Sequence, residues 1–453
     1  MYESPPLDAS YNAAPVEWTT PAAVDSSRGQ ALPFVGVANV ALLVTFLFAL
    51  VHPSILNPFQ VEPHTAWTIT CYAFGIPILI VTGLARGVRW RPTFFDYCLL
   101  TYVALVLATW PTSFNRHLTW ISIVGLGAQV AVYGAGRVLA VDQPALVRVV
   151  VAGLVAGIGM LEWTAFDAHL RIGLEARVLV FPPLEWSGRE GLGLAAAVQC
   201  GLLVGVWQRT RSRAVQIAAI ALILGAVVEC LFMYSRVPWA ALAAALVAAC
   251  LVGLRVGGFR RSLLAVAVIG AFVAVVGTPY MLHLARMATG LAQGPESGLS
   301  FRLAAWLDAP KVIAMNPIRG TGLGTYGAVR PTLDVPRSQY LPPDFESPLH
   351  PHNAYLQQLA EVGIVGGTAF AMMWAAALGA GWRVSTDPAL SDGVNVGLFL
   401  ALVALLVSNL GENMFEGTER LRLQSMAWIA AGVIIAEWNR ARRSAIQRPD
   451  HAV

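Results

Sequence analysis

Long apolar runs separated by short polar segments dominate this sequence of 453 residues. A helix needs about 20 consecutive apolar residues to cross the hydrocarbon layer of a bilayer, and many runs come close to that length. The predicted spans lie near residues 31–51, 66–85, 93–110, 118–140, 145–166, 192–208, 214–234, 239–254, 262–278, 356–382, 392–411 and 421–438. The pattern predicts an all-α, polytopic membrane protein with about 12 transmembrane helices.

The polar stretches around these runs divide the chain into five parts. Residues 1–30 are rich in Pro, Ser and Ala, which predicts a disordered tail. Residues 31–278 hold the first nine predicted spans, and residues 356–438 hold the last three. Residues 279–355 form the long polar segment, which we expect to be a loop domain with amphipathic helices, and residues 439–453 form a second tail.

Arginine clusters give the predicted orientation. Short cytoplasmic loops collect Lys and Arg, and the clusters here follow the second, sixth, eighth and last predicted spans. They are Arg86, Arg89 and Arg91; Arg209, Arg211 and Arg213; Arg255, Arg260 and Arg261; and Arg440, Arg442 and Arg443. Because all of these spans are even-numbered, we expect both tails to be cytoplasmic and residues 279–355 to lie on the opposite side of the membrane.

Composition narrows the class of protein further. Hydrophobic residues make up 57% of the chain and charged residues 12%, which excludes an ordinary soluble domain. Only Lys311 among the 30 basic residues is a lysine, so nearly all positive charge is guanidinium, which binds phosphate and carboxylate well. The net charge of +4 is too small to indicate nucleic-acid binding. All five cysteines fall inside apolar runs, and no disulfide framework is readable.

A candidate general base lies where the long polar segment meets the tenth span. In His350-Pro351-His352-Asn353, Pro351 disfavours helix at His350, so a helix is expected to begin near His352 with Tyr355 and Leu359 on the same face, one and two turns on. Histidine takes up a proton near neutral pH, which suits His352 to general base catalysis. The alternative is an interfacial histidine without a chemical role, and His350 is a rival imidazole.

Arg236 is a candidate anion-binding residue on a short hairpin between the seventh and eighth spans. A guanidinium there is held near the outer surface, although a contact to lipid phosphate explains it equally well. Glu229 precedes Arg236 by seven residues and lies on the same helix face. A carboxylate inside a membrane is expected to be paired or protonated, so Glu229 either orients Arg236 or stabilises the bundle.

The long polar segment carries a second candidate arginine. Arg302 and Trp306 lie one turn apart, beside an apolar pair formed by Leu303 and Leu307, and this spacing predicts an amphipathic helix. A glycine-rich loop with the sequence Asn316-Pro-Ile-Arg-Gly-Thr-Gly-Leu-Gly324 follows, and glycines there permit close approach of the backbone to a ligand or helix.

These motifs resemble the O-antigen ligase and polymerase superfamily. His352-Asn353, followed after nine residues by Gly363-x-x-Gly366, is similar to the signature of that family. Ser235-Arg236 at a hairpin tip, and Arg302 ahead of the glycine-rich loop, are similar to two further stretches. The resemblance covers roughly residues 214–380.

The resemblance implies a GT-C-like membrane glycosyltransferase that acts at the periplasmic face of the bacterial inner membrane. The donor would be a glycan linked to undecaprenyl diphosphate, and displacement would invert the anomeric centre. His352 would accept the proton of the acceptor hydroxyl, while Arg236 and Arg302 would bind the diphosphate. Two guanidiniums can replace Mg²⁺ electrostatically, so we expect no metal and no other cofactor.

Other residues have less defined expected roles. Arg319 stands where the family usually carries an apolar residue, so it either adds a phosphate contact or faces solvent. Asp344 and Glu346 have the spacing of a metal-binding motif, but a solvated proline-rich loop explains them more simply. The possible substrate-binding residues are Arg319, His350, Asn353 and Tyr355.

Several functions remain open within and outside the family. A ligase in lipopolysaccharide biosynthesis would use lipid A-core oligosaccharide as acceptor, a polymerase another glycan repeat, and an O-oligosaccharyltransferase a protein side chain. The chain length and the compact outer loop favour the ligase. A solute transporter is the alternative from another class, and Glu162 and Glu229 are the residues that support it.

Overall fold

The computed structural model describes residues 76–85, 87, 90–142, 144–172, 188–232, 236–288, 297–333, 350–413 and 421–446. All regular secondary structure in these ranges is helical. The helices are α1 Ile76–Ala85, α2 Phe94–Thr109, α3 Arg116–Asp142, α4 Pro144–Ile172, α5 Gly188–Arg209, α6 Arg213–Phe232, α7 Arg236–Val256, α8 Phe259–Ala288, α9 Ser297–Met315, α10 Tyr326–Val329, α11 Ala354–Thr386, α12 Gly393–Ser408 and α13 Leu421–Ile446. Two short 3₁₀ turns, Trp110–Thr112 and Arg330–Thr332, complete the described elements.

The described helices include six that are long and apolar enough to cross a membrane, so the protein is a multi-pass membrane protein. The six stretches are Phe94–Thr112, Arg116–Asp142, Gly191–Arg209, Arg213–Cys230, Arg236–Val256 and Ala354–Thr386. Two shorter apolar helices, Pro144–Met160 and Gly393–Ser408, coincide with two more predicted spans. The prediction of an all-helical membrane protein is therefore confirmed, while the total of about 12 spans stays a prediction.

Some sequence predictions fall outside the described residues. These are the tail at 1–30, the first predicted span, the start of the second span, the loop residues Asp344 and Glu346, and the end of the second tail. Tyr234 and Ser235 of the predicted hairpin also lie outside the described ranges, although Arg236 lies within them.

Helix α5 forms the centre of the bundle and is almost entirely buried along its apolar length. It packs against α4, α6, α7 and α12. Its contact with α12 is glycine to glycine, since a Cβ atom built on Gly205 would lie 2.2 Å from the backbone nitrogen of Gly397. Small residues of this kind let two membrane helices approach closely, which is how helices associate where water exclusion no longer drives them together.

Helix α12 connects the two ends of the bundle. At its start, Ser391 accepts a hydrogen bond from Arg209, and nearby Arg261 donates to the carbonyl of Gln208 at 2.9 Å. At its other end the chain continues through Asn409 to Glu412, close to the start of α11. The end that carries these predicted cytoplasmic arginines is therefore opposite to the end that carries His352.

Helix α9 lies on α11, as expected for an amphipathic helix of the long polar segment. It is longer than the predicted stretch and runs through Pro310 to Met315. Its buried stripe consists of Ala305, Ala309 and Val312, whereas Leu307 of the predicted apolar pair is 51% exposed.

Candidate active site

His352 lies immediately before the start of α11, in a backbone conformation that is unusual for a residue other than glycine. Its φ angle is +46°, in the left-handed region. Asn353 then caps the helix, because its side chain accepts a hydrogen bond from the Leu356 N–H at 3.0 Å. The helix predicted to start near His352 thus begins at Ala354, two residues further along the chain.

The start of α11 is bound to the segment that follows α12. The Ala354 N–H donates to the Asn409 carbonyl at 2.9 Å, and the Asn353 side-chain amide donates to the Leu410 carbonyl at 3.1 Å. Asn353 therefore caps one helix and holds another segment at the same time, and that segment presents Glu412 to the histidine.

Glu412 joins two of the predicted site residues. One carboxylate oxygen binds the Arg302 guanidinium, and the other lies 3.2 Å from Nδ1 of His352. The Glu412 residue is 0% exposed, and the Arg302 Nε also donates to the Gly411 carbonyl at 2.9 Å. We call Arg302, His352 and Glu412 the Glu412 cluster.

This arrangement has a chemical consequence for the imidazole. A carboxylate beside Nδ1 favours the tautomer whose proton is on Nδ1, so Nε2 carries the lone pair. The same carboxylate orients the planar guanidinium, whose donors suit bidentate contacts with anions. Glu412 thus positions a proton acceptor and a fixed cation together.

The backbone of Arg236 lies close in space to the Glu412 cluster. Arg236 is the first residue of α7 and is exposed, and its guanidinium makes no hydrogen bond or ion pair with any other described residue. The next residue, Val237, contacts Gly411, because a Cβ atom built on Gly411 would lie 2.7 Å from a methyl carbon of Val237. Gly411 accordingly contacts the start of α7 and also accepts a hydrogen bond from Arg302.

The glycine-rich loop docks on a break in α11. The backbone at Gly363 is non-helical, with φ of 74°, and the interrupted hydrogen bonds are made with the loop instead. Ile364 N–H donates to the Pro317 carbonyl at 2.8 Å, and Thr321 N–H donates to the Ala360 carbonyl at 3.0 Å. A Cβ atom on Gly363 would lie 2.1 Å from the Ile318 carbonyl oxygen, so only glycine fits there.

Glu361 fastens the same loop through its side chain. It is buried and accepts backbone N–H donors from Gly324 at 2.8 Å and from Tyr326 at 3.0 Å. Gln357 donates to the same carboxylate at 2.9 Å and itself accepts from Asn413 at 2.6 Å. Hydrogen bonds therefore connect the glycine-rich loop to the residue next to Glu412. Burial raises the pKa of the Tyr326 phenol, which stays neutral.

The remaining predicted site residues lie at various distances from this arrangement. Arg319 is exposed on the glycine-rich loop, and the Tyr355 hydroxyl donates to the Leu406 carbonyl at 3.1 Å. His350 lies at an exposed bend before the helix cap. Glu229 is buried and does not bind Arg236, so the predicted orienting contact between them is absent among the described residues.

Sequence reasoning missed Glu412 and Glu361. The signal available for Glu412 was an acidic residue directly after an apolar run that ends at the same side as His352. Glu361 was hidden inside the interval between His352-Asn353 and Gly363, where it follows the polar residues Gln357 and Gln358 at the start of a long apolar helix.

The part of the chain that holds most of these residues matches a known protein family. The family model described as O-antigen ligase matches residues 220–371. Residues 220–371 are therefore similar to the O-antigen ligase family. The matched segment is about a third of the chain and includes Arg236, Arg302, the glycine-rich loop and His352, so the family resemblance of the sequence is confirmed. Glu412 lies beyond the matched segment. No curated protein matches the chain.

The matched family indicates a class of reaction. It consists of membrane ligases and polymerases of the glycosyltransferase kind, and the family implies a polyprenyl-linked glycan and a lipid among its substrates. The described residues contain no group of three or more His, Cys, Asp or Glu side chains arranged to hold a metal ion.

Proposed function

We propose that this protein is an O-antigen ligase that transfers a glycan from undecaprenyl diphosphate to lipid A-core oligosaccharide. The Glu412 cluster is the observation that carries the proposal, because it brings together Arg302 and His352 from segments 50 residues apart. The reaction would take place at the periplasmic face of the inner membrane, with both chain ends in the cytoplasm. The predicted division into nine spans, a loop domain at 279–355 and three spans belongs to this proposal.

The geometry suits an inverting displacement. The acceptor hydroxyl oxygen attacks the anomeric carbon, the bond from that carbon to the diphosphate oxygen breaks, and the hydroxyl proton passes to Nε2 of His352. Undecaprenyl diphosphate leaves with the bonding electron pair, and Arg302 and Arg236 bind its charge. Glu412 stabilises the imidazolium that forms after proton transfer, since its carboxylate lies 3.2 Å from Nδ1.

The two arginines support this proposal in different ways. Arg302 is held by Gly411 and Glu412, so its guanidinium plane is fixed before substrate arrives. Arg236 is exposed at a helix start and can move toward a diphosphate that enters from the lipid. Asn353 and Tyr355 position the start of α11 through hydrogen bonds between their side chains and backbone groups. Arg319 and His350 are candidates for contact with sugar or phosphate.

The test is glycan transfer by the purified protein in lipid nanodiscs, with an undecaprenyl diphosphate-linked donor and the three acceptors side by side. Lipid A-core should be used in preference to a glycan repeat or a protein side chain, and EDTA should leave the rate unchanged. His352→Ala should lower the rate by about 10²- to 10⁴-fold, whereas His350→Ala should retain most of it. Equal rates for the two variants would contradict the assignment of the base, and preference for a glycan repeat would make the protein a polymerase.

A solute transporter is the second candidate, and one observation favours it. Glu162 and Glu229 are buried in the bundle, and neither forms an ion pair with another described residue. Transporters place such groups near the middle of the membrane. Uptake of a labelled solute into vesicles that is unaffected by His352→Ala would support transport and contradict the ligase.

A further inference from the structure

Two acidic side chains from separate helices meet beside α5. Cys230 of α6 donates to the Gly193 carbonyl at 3.3 Å, and Cys200 contacts the Ile223 carbonyl at 3.8 Å, so α5 and α6 are antiparallel. Glu229 therefore lies level with the first turns of α5. Glu162 comes from α4, which packs against both α5 and α6, so its carboxyl lies close enough to that of Glu229 for the two to interact electrostatically.

A glutamine from α5 lies in the same interface. The Gln199 Nε2 donates to the Val155 carbonyl of α4 at 3.0 Å, and a Cβ atom on Gly159 would approach that nitrogen to 3.3 Å. Gly159 precedes Glu162 by three residues, so the amide lies about one turn from the acid. Since Nε2 is already used, the Gln199 Oε1 is left as an acceptor in the same space.

The polar atoms that meet here are all acceptors. Gln199 Oε1, one oxygen of Glu162 and both oxygens of Glu229 are buried without a hydrogen-bond partner among the described residues. The residues are 0%, 7% and 1% exposed, respectively. Both neighbouring thiols, Cys200 and Cys230, already face backbone carbonyls and supply no donor.

No cation is placed beside these acids by the described side chains of the neighbouring helices. Neither Glu162 nor Glu229 forms an ion pair with an arginine, lysine or histidine in the described part of the chain. The charged side chains described on α8, which also packs against α6, are Arg260 and Arg261. Arg261 binds the far end of α5, at Gln208 and Thr210, and is thus remote from Gly193.

A set of buried acceptors requires a donor or a cation, because an unpaired carboxylate inside a membrane costs several kcal/mol. We propose that Glu162, Glu229 and Gln199 form a proton-binding site inside the bundle, in which the carboxyl O–H of one acid donates to an acceptor atom of its neighbour. Two carboxyl groups that share a proton avoid both the like-charge repulsion and the empty acceptors. The site lies outside the machinery proposed for glycan transfer and does not rest on that function.

The proposal predicts a specific reaction with a hydrophobic carbodiimide. A protonated carboxyl adds across one C=N bond of N,N′-dicyclohexylcarbodiimide, with its oxygen bonding to the carbon and its proton passing to the nitrogen. Acyl transfer from oxygen to the second nitrogen then gives a stable N-acylurea, and nothing is lost. The hydrophobic carbodiimide is thus selective for carboxyl groups that are protonated and buried. It does not select ionised carboxylates, or carboxyl groups that water-soluble reagents reach.

The experiment treats the full-length protein in lipid nanodiscs near neutral pH and measures labelled peptides by mass spectrometry. Glu412 and Glu361 serve as controls in the same sample, because they are equally buried but bind donors. Labelling of Glu162 or Glu229 should exceed that of both controls by about tenfold or more, which corresponds to one unit in the protonation equilibrium. Equal labelling of all four acids would overturn the proposal, as would protection by sodium relative to choline, which would assign the site to a metal cation.

The Glu229→Gln variant tests whether the two acids share the proton. The pH at which Glu162 loses half of its labelling should fall by about one unit, because a neighbouring carboxylate no longer opposes ionisation. An unchanged midpoint would mean that the acids are independent and would overturn the shared site. If the variant does not fold, the labelling ratio in the native protein still decides. If the native protein shows the expected labelling but no glycan transfer, only the proposed ligase function is contradicted.

Discussion

Glu412 and Glu229 are both buried acids of one helical bundle, yet their surroundings are opposite. Glu412 is bound by a guanidinium and lies beside an imidazole, at the end of α12 where the chain leaves the apolar helix. Glu229 lies within an apolar helix, and both of its oxygens lack a described partner. The same residue type thus binds a guanidinium in one place and lies among other buried acceptors in the other.

The difference shows how position along a membrane helix determines the use of a carboxyl group. At a helix end, side chains and backbone N–H groups from several segments meet, so a carboxylate can be surrounded by donors. Within the apolar stretch, the helix uses its own backbone groups, and an acid finds few donors unless a neighbouring helix supplies one. Variants of Glu412 and Glu229 should therefore differ in their effects on activity and stability.

Among the variants that compare the two acids, the largest effect is expected from Glu412→Gln, which keeps the side-chain shape and removes the charge. The variant should lower kcat/KM for glycan transfer by about 10²-fold, because Arg302 loses its anionic partner and the His352 tautomer is no longer fixed. Glu412→Asp should retain more activity than Glu412→Gln, since it keeps the carboxylate. The matched control is Glu229→Gln, which should remain close to the native rate; similar losses in both variants would remove the contrast between the two acids.

Arg302→Lys tests the other half of the same cluster and should have a somewhat smaller effect. Lysine keeps the charge but cannot hold both the Gly411 carbonyl and Glu412 in the fixed geometry of the guanidinium. We expect kcat/KM to fall by about 10-fold or more, as measured with a diphosphate-linked donor. Arg260→Lys is the control, because Arg260 is exposed and lies at the start of α8, outside the residues proposed to bind substrate. Full activity of Arg302→Lys would show that bidentate phosphate recognition is the wrong account.

The positions of the helices were predictable because each apolar run is a local signal. Predicted spans at 118–140, 192–208 and 239–254 fall within α3, α5 and α7, with boundaries that differ by a few residues. The helix start near His352 was also predictable, since Pro351 and Asn353 act on the adjacent backbone.

The contacts that organise the candidate site were not predictable in the same way. Glu412 is 110 residues from Arg302 and 60 from His352, so only the packing of α9, α11 and α12 brings them together. The break at Gly363 was hidden because a glycine in a mostly apolar run gives no local sign of a break, and the sequence pattern predicts a continuous span over 356–382. The break depends on the glycine-rich loop, which supplies hydrogen bonds from elsewhere in the chain.

Gly363→Ala tests whether this break supports the Glu412 cluster. The backbone at Gly363 has a positive φ, and an alanine methyl would overlap the Ile318 carbonyl. We expect the thermal unfolding of the solubilised protein to shift by an amount equivalent to about 1–3 kcal/mol, with lower transfer activity. Gly379→Ala in the same helix is the control, because no heavy atom lies within 4 Å of the added methyl and little change is expected. Equal stability of the two variants would mean that the loop tolerates displacement.

The smallest effect is expected from Glu229→Gln on stability, and its sign is informative. Glu412→Ala removes the carboxylate and leaves the Arg302 guanidinium without its anionic partner. This variant should destabilise the protein by about 3 kcal/mol. Glu229→Gln breaks no described ion pair and adds an amide donor among buried acceptors, so stability should be unchanged or increase by about 1 kcal/mol. The two variants should therefore move thermal unfolding in opposite directions or by clearly different amounts. A large loss of stability in Glu229→Gln would mean that Glu229 is an ionised partner like Glu412, and the distinction between helix end and helix interior would not hold.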